Sequence, residues 1–400
     1  MRGIPGSFIF IFFVVVFAVE FFAFLAIREL TDQRATRKKI NYLYWGISLV
    51  LSGILLYAFV NPNKIREVPN YHFFYFVISI SFFNLVPKAL LAIFYLFSRI
   101  LKLLKAHFLA RLVLLSSMIL SLGLMLIIGY GIVFGRKSLR VIQQEIILPT
   151  LPKSIDNLTI VQLSDLHLGS FEDNHFMKRC ARKIDEINPD LLVFTGDMVN
   201  NFAQEMDGFE DILSSMHAKH GKFAILGNHD YGDYSNWPSR AAKEQNHHLL
   251  EKQIEQAGFQ LLLNQSVTVP VRDTTIEIIG VQNWGHHPFP QYANLNKAMQ
   301  GINPKLFEIL LTHDPAHWEV KVVPNTQIPL TLAGHTHAAQ SGVQFAGIEF
   351  SPMYFVQKCW GGLYKRGNQY LYVNRGIGCI GLLGRIEMNP EITVLKLRSE

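Results

Sequence analysis

Four long apolar stretches precede residue 135, over residues 8–27, 41–60, 71–97 and 109–134. A helix needs about 20 mostly apolar residues to cross the hydrocarbon of a bilayer. Inside lipid the backbone must satisfy its own hydrogen bonds, which helices and closed barrels alone achieve. The stretches therefore predict an all-α transmembrane bundle of about four helices over residues 1–137. Glu20 lies inside the first stretch and must face other helices, reach the interface or carry a proton. Pro87-Lys88 interrupts the third, which either spans with a kink or spans to Val86 and continues along the interface. The first run is longer than the apolar core of a cleaved signal and is preceded by Arg2 alone, so it reads as a retained span.

Charge divides the chain in the same way. Residues 1–140 hold 16 Lys+Arg against 4 Asp+Glu, and the rest holds 21 against 27. A basic surplus can signal nucleic-acid binding, but here it flanks apolar spans and reads as membrane topology, so no nucleic-acid partner is expected. The first loop, 28–40, carries Arg28, Arg34, Arg37, Lys38 and Lys39; the third, 98–108, carries Arg99, Lys102 and Lys105; the second, 61–70, has Lys64 and Arg66. The positive-inside rule puts the first and third loops in the cytoplasm and everything after the fourth span outside it. Arg136, Lys137 and Arg140 oppose this, but two loops outweigh one flank and long domains translocate largely regardless of charge. Cys180, Cys359 and Cys379 are too few for a disulfide framework and read as packed thiols, with a Cys359–Cys379 bridge left open.

Beyond a linker with one extended segment over 138–157, strand-length apolar runs alternate with amphipathic stretches. Strands are expected at Thr159–Leu163, Leu191–Phe194, Lys222–Leu226, Gln260–Leu263, Ile276–Val281, Phe307–Leu311, Leu330–Ala333, Tyr370–Val373 and Ile392–Leu397. Helices are expected at His175–Ile187, Gln204–His217 and Arg240–Ala257. Short buried strands interleaved with helices make residues 138–400 a layered α/β domain.

Five polar clusters follow five of these strands: Asp165-Leu-His167, Gly196-Asp197, Gly227-Asn228-His229-Asp230, His313 and Gly334-His335-Thr336-His337. In open α/β sheets, sites form beyond the carboxyl ends of strands, so these groups can converge. Carboxylate and imidazole together suit divalent zinc, iron or manganese. Asp165 and His167 can reach one ion, Asp197 can bridge two with its two oxygens, and Asn228 offers a neutral carbonyl. Two such ions activate a water and clamp phosphoryl oxygens, which makes the reaction hydrolysis of a phosphate ester or anhydride by in-line attack. His229, beside Asn228, can assist the leaving group, with Asp230 orienting its imidazole.

The five clusters resemble those of the calcineurin-like metallophosphoesterases. Within that superfamily, Ser164-Asp-Leu-His-Leu-Gly169 and Tyr372-Val-Asn-Arg-Gly-Ile-Gly378 look like the bacterial membrane-associated branch, in which a metallophosphoesterase domain follows membrane segments. The resemblance covers roughly residues 138–397 and implies a four-layer sandwich, two mixed sheets flanked by helices. It implies that Asp165, His167, Asp197 and His337 hold one ion, that Asp197, Asn228, His313 and His335 hold the other, and that His229 is the acid or transition-state stabiliser. One departure stands out: Ala338-Ala339-Gln340 replaces the Gly-Gly-Gln common in the branch, which bears on the room left for substrate.

Other residues carry plainer readings. His217, His220, His247, His248, His286 and His287 read as packed or solvated, and Asp314 as a turn former before Pro315. Arg375 in a Gly-rich loop is a candidate for binding substrate phosphate, with a structural salt bridge as the alternative. Trp284, Trp360 and Tyr364 read as ordinary packing rather than a lipid groove. The expectation is an integral protein of the bacterial cell membrane, its catalytic domain extracytoplasmic. It would be a two-metal phosphohydrolase acting on a phosphorylated lipid or envelope compound. The alternatives are a UDP-2,3-diacylglucosamine-type pyrophosphate hydrolase and a non-catalytic membrane sensor on the same fold. Few charges fall within the spans beyond Glu20 and Lys88, which gives a transport path little support.

Overall fold

The structure, a computed structural model, describes residues 6–31, 34–61, 72–285 and 290–400. Lys64, Arg66, His286 and His287 lie outside the described residues. The chain divides into two compact units, one built on four long helices together with Gly381–Gly384, and one that holds the sheets and consists mainly of Phe134–Ile380 and Arg385–Glu400.

The apolar stretches become α1 (Gly6–Glu29), α2 (Arg34–Val60), α3 (His72–Leu103) and α4 (His107–Val133). Each is long and apolar enough to cross a membrane. The helices run further than hydropathy alone suggested, so the expected loops 28–40 and 98–108 shrink: Arg37, Lys38 and Lys39 ride on α2, and Arg99 and Lys102 on α3. Basic residues at span ends extend the helix, because its backbone hydrogen bonds stay satisfied as the side chains reach toward water. Pro87 does not end α3, which is one 32-residue helix. Proline there removes one backbone bond, a loss that neighbouring helices and side chains can absorb. Glu20 faces the bundle: it accepts from Lys88 Nζ at 2.9 Å, Ser48 Oγ at 2.7 Å and Asn84 Nδ2 at 3.0 Å. At the other end of α1, Glu29 pairs with Lys102 and with Arg99, both from the last turns of α3.

In the second unit two six-stranded sheets form among the described residues. The first has the order β1 (Arg140–Ile147), β14 (Glu391–Arg398), β2 (Leu158–Leu163), β3 (Leu191–Phe194), β4 (Lys222–Ala224), β5 (Gln260–Leu261). The second runs β12 (Gly362–Arg366), β13 (Gln369–Val373), β9 (Leu330–Ala333), β8 (Phe307–Leu311), β7 (Thr274–Gly280), β6 (Gln265–Val271). Both are mixed: β2 through β5 run parallel, as do β7, β8, β9 and β13, with antiparallel pairs at β14–β2, β12–β13 and β6–β7.

Alternation along the strands builds the layers. Ile160, Leu191, Val193 and Phe223 of the first sheet meet Ile278, Ile309, Leu311 and Leu332 of the second in a central apolar layer. The opposite faces carry helices. Val161, Leu192 and Phe194 pack with α5 (His175–Ile187), α6 (Glu210–Ser215) and α7 (Arg240–Gln256) through Met177, Ile184, Leu213 and Leu250. Ile279, Leu310 and Val373 pack against Trp318 and Val322 of a helical run over 315–325. These four layers are the expected sandwich.

Two expectations are corrected. Residues 140–147 are not linker: β1 pairs in parallel along the whole of β14. The helix expected over Gln204–His217 breaks into a 3-10 turn at Ala203–Met206 and α6, because Gly208 takes a left-handed φ of 82° between them. The three cysteines follow the packed-thiol reading: Cys180, Cys359 and Cys379 are free and buried, and the bridge left open between the last two does not form.

Candidate metal centre

Parallel strands deliver their loops to one end. β2, β3 and β4 lead into Asp165/His167, Asp197 and Asn228, while β8 and β9 of the facing sheet lead into His313 and His335/His337. Backbone bonds tie these loops together: Asp165 N–H donates to Gly196 O at 2.9 Å, and Gly334 N–H to His313 O at 3.0 Å. Five of the residues are in the left-handed region, with φ of 49° at Asp165, 42° at His167, 62° at Asp197, 75° at His335 and 49° at His337. Non-glycine residues rarely adopt this conformation, at a cost of about 1–2 kcal/mol each. Here it turns side chains inward that extended backbone would send elsewhere.

Two donor groups result, Asp165/His167/His337 and Asp197/His313/His335. In the first, His337 Nε2 lies 3.2 Å from Asp165 Oδ1 and 3.1 Å from His167 Nε2. In the second, His313 Nε2 lies 3.2 Å from Asp197 Oδ2, 3.1 Å from Asn228 Oδ1 and 3.2 Å from His335 Nδ1. Asp197 Oδ2 is also 3.5 Å from His167 Nε2, so this one oxygen faces both groups.

These spacings fit cations. Ligand atoms 2.0–2.2 Å from a tetrahedral ion lie about 3.4 Å apart. Two imidazole nitrogens facing at 3.1 Å would otherwise set lone pair against lone pair or share one proton. The His313 orientation fits as well: Nδ1 donates to Thr195 O at 2.7 Å, which aims Nε2 at Asp197 and the other donors, where a bound cation would displace its proton.

Charge states suit ligation. Burial opposes ionisation of Asp197, but the imidazoles of His313, His229 and His167 outweigh it and hold its carboxyl well below the usual range. Asp165 is lowered too, burial being outweighed chiefly by His337. Burial drives His167, His229 and His335 down, toward the neutral form. His313 alone is pushed up, to about 10: burial lowers it, but the charge and hydrogen bond of Asp197 prevail. Ionised carboxylates with mostly neutral imidazoles are the ligand-competent forms of these groups.

Asp165, His167, Asp197, His313 and His337 are buried, whereas Asn228, His229 and His335 are partly exposed and mark the side open to solvent. The His229 ring is held by Nδ1 donating to Asn200 O at 2.8 Å and by stacking on Tyr234, 4.5 Å between centroids. This corrects the expectation that Asp230 orients the imidazole. The Asp230 carboxylate instead accepts four backbone N–H groups, from Asp197 at 2.9 Å, Met198 at 2.8 Å, Val199 at 3.2 Å and Gly227 at 2.9 Å. With its oxygens fully engaged, it clamps the Asp197 and Asn228 loops together.

Arg375 is also corrected. Its guanidinium pairs with Glu349, has Nε 3.7 Å from Glu391 Oε2, and stacks on Trp360, with the residue only 7% exposed. One exposed carboxylate, Glu349, and one buried one, Glu391, face the guanidinium, which is the structural salt-bridge alternative. Asp314 caps the 315–325 run, its Oδ1 accepting from Ala316 N–H at 2.8 Å. Tyr364 Oη accepts from Trp360 N–H at 3.0 Å, an ordinary packing role.

Three supporting residues went unread in the sequence. Tyr234 Oη accepts from Asn228 Nδ2 at 2.9 Å, which turns the Asn228 carbonyl toward His313 and His335. The Glu205 carboxylate accepts from the backbone of Gly169, Asn200, Asn201 and Phe202 and fixes the loop that holds His229. Arg385, 1% exposed, lies with Nη2 3.3 Å from His337 Nδ1 and braces the loops with bonds to Arg375 O, Gly378 O and Met388 O. Tyr234 and Glu205 act mainly on nearby loop residues and Arg385 across the fold, and each is a single polar residue that no motif singles out.

A sandwich with two converging groups of potential metal ligands at the strand ends has the architecture of a metal-dependent hydrolase. Residues 158–339 match the model of the calcineurin-like phosphoesterase family, and residues 2–136 match one described as the probable calcineurin-like phosphoesterase transmembrane domain. An uncharacterized metallophosphoesterase of Bacillus subtilis (strain 168), YkuE, is 32% identical over 62% of this chain and 82% of its own length. The UDP-2,3-diacylglucosamine pyrophosphatase LpxG of Chlamydia muridarum is 30% identical over 62% and 86%. A transmembrane protein with metallophosphoesterase domain from Danio rerio is 28% identical over 67% and 60%. The chain belongs to the calcineurin-like metallophosphoesterases. It is an integral membrane protein and a metal-dependent phosphoester hydrolase.

Proposed function

We propose that this protein hydrolyses a phosphorylated lipid or envelope compound at a two-metal centre outside the cytoplasm. Asp165, His167, Asp197 and His337 would hold one ion and Asp197, Asn228, His313 and His335 the other. Manganese, iron and zinc all suit this donor set. When bound, such a pair acidifies a water and neutralises phosphoryl charge. The observation that carries the reading is the Asp197 oxygen, within 3.5 Å of His167 Nε2 and 3.2 Å of His313 Nε2.

The chain's own residues do the rest. Asn228, His229 and His335 form the open side, where a phosphoryl group would enter. Asn200 O holds His229 Nδ1–H, which leaves Nε2 to exchange a proton with the leaving oxygen or to stabilise its charge. Asp230 and Glu205 position these loops and touch no reacting atom.

The test is an activity screen of the metal-reconstituted full chain across phosphomonoesters, diesters, nucleotide-sugars and lipid pyrophosphates. Asp197→Asn is expected to abolish hydrolysis of an artificial phosphodiester; activity retained with metal still bound would overturn the bridging role. A second reading, hydrolysis of a diacylated nucleotide-sugar pyrophosphate, draws on the Chlamydia relatives of that name. Such a substrate is cytoplasmic, so this reading requires the opposite topology, and preference for nucleotide-sugars in the screen would favour it.

A further inference from the structure

Six residues past His337 the chain enters a two-stranded hairpin, β10 (Val343–Phe345) and β11 (Ile348–Phe350), that is turned inside out. Its register pairs Val343 with Phe350, Gln344 with Glu349 and Phe345 with Ile348. Side chains alternate along a strand, so one face carries Val343, Phe345, Ile348 and Phe350 and the other Gln344 and Glu349. A half-buried hairpin turns its apolar face to the core. Here the polar face is the docked one: Gln344 accepts from Arg140, and Glu349 pairs with Arg375. The apolar face points away, with Phe345 77% exposed, and the turn that follows adds Phe355 at 79% and Val356 at 82%.

Large contiguous apolar patches on a protein surface mark a surface for a low-polarity partner. The partner we propose is the lipid bilayer: this hairpin and the 352–356 turn insert into its interface beside the metal centre. Four transmembrane helices already tether the chain to a bilayer. Between residues 343 and 357 the one charged side chain is Glu349, neutralised by Arg375, so no free charge opposes insertion. Phenylalanine and tyrosine suit the interfacial zone, and Lys358 lies next in sequence where anionic headgroups would sit. Depth is limited, because a two-stranded hairpin leaves backbone groups at its edges that hydrocarbon cannot satisfy.

The base of the hairpin is fixed to the metal loop. Ser351 Oγ donates to Ala338 O at 2.6 Å, and Met353 packs against Ala338, Trp360 and Met388. The inserted element therefore sits one residue from His337, where it would bring the phosphate of an interfacial amphiphile to the metals. This deepens the proposed function and rests on it for the substrate, though the insertion itself does not depend on activity.

The test uses the full chain in nanodiscs of phosphatidylethanolamine and phosphatidylglycerol. Phe345→Cys or Phe355→Cys carries an environment-sensitive fluorophore, with Lys252→Cys on α7 as the exposed control; the native cysteines are buried. Insertion predicts blue-shifted emission at the first two sites and its loss when the lipids carry a doxyl quencher, with neither change at Lys252. Water-like emission overturns the proposal, and so does shielded emission that lipid quencher leaves untouched, which would mean a protein covers the patch. A paired Phe345→Ser/Phe355→Ser variant should lose turnover of a vesicle-borne phospholipid while keeping turnover of a soluble diester. An inactive chain whose probes still report insertion would sink the hydrolase reading and leave the hairpin assignment standing.

Discussion

His229 differs from the other site histidines in having no nitrogen among the clustered donor atoms, while its ring is fixed by Asn200 and Tyr234. It should therefore matter to turnover and not to metal content. His229→Ala is expected to lower kcat on an artificial phosphodiester by about 10²–10⁴-fold, the usual worth of a positioned acid or base. Metal per chain, read by elemental analysis, should stay at the wild-type value, and loss of one ion would reassign His229 as a ligand. Gly334 gives the opposite pattern. A Cβ there would stand 1.9 Å from Ser164 Oγ and 2.4 Å from Asp165 Oδ2. Gly334→Ala must push Asp165 aside, so metal affinity in a titration should fall, with a stability loss of about 1–3 kcal/mol from overpacking. Unchanged affinity would show that the loop yields without moving the carboxylate.

The element that best explains the site's cost is the turn after His337. Ala338, Ala339 and Gln340 hold φ values of 50°, 52° and 54°, three consecutive non-glycine residues in the left-handed region. The alanines that stand where the resemblance predicts glycine keep the same path of the chain at the expense of strain. Ala339 is half-buried, so Ala339→Gly should raise stability: relief of about 1–2 kcal/mol of strain exceeds the roughly 0.5–1 kcal/mol of entropy that glycine loses on folding. Thermal unfolding should show the gain at position 339. The gain should be smaller or absent at 338, whose buried methyl packs on Trp360 and Met388. A destabilised Ala339→Gly chain would mean that the turn is not strained. The same physics governs what could be read in advance. β3 is an unbroken, fully buried apolar run, β8 and β9 are broken only by Glu308 and Thr331, and all three carry their candidate ligands just past their ends, so the elements and the convergence of these groups were legible. β1, with its Gln143-Gln144-Glu145 centre, lies at a sheet edge and alternates, so it passed for linker. β10 and β11 carry their apolar residues outward, a pattern whose direction no local signal reveals. Glu205 reaches Gly169 and Arg385 reaches His337 across sequence gaps that only the folded chain closes, while Tyr234 bonds Asn228 through a local loop conformation that no motif encodes.

For the whole molecule, the open quantity is the side of the membrane on which the metal centre works. Glu29 at the end of α1 pairs with Arg99 and Lys102 at the end of α3, so the turns after these two helices lie at one end of the bundle. Both turns are flanked by basic residues, Arg28 with Arg37, Lys38 and Lys39, and Arg99 and Lys102 with Lys105. Concentrated at one end, that charge is expected to hold that end in the cytoplasm. α4 departs from the same end and its 27 residues extend about 40 Å, which carries Val133 across the hydrocarbon to the opposite face. On this expectation Arg136, Lys137 and Arg140 would translocate with the α/β unit, against a local preference that long domains override. A reporter fused after Glu400 decides the matter: an enzyme that folds only outside the cytoplasm should be active there, and a fluorescent protein that matures only inside should stay dark. The reverse result would place the Asp197 carboxylate and its imidazoles among cytoplasmic nucleotide-sugars, and the substrate assignment would pass to the pyrophosphatase reading with the chemistry of the centre unchanged.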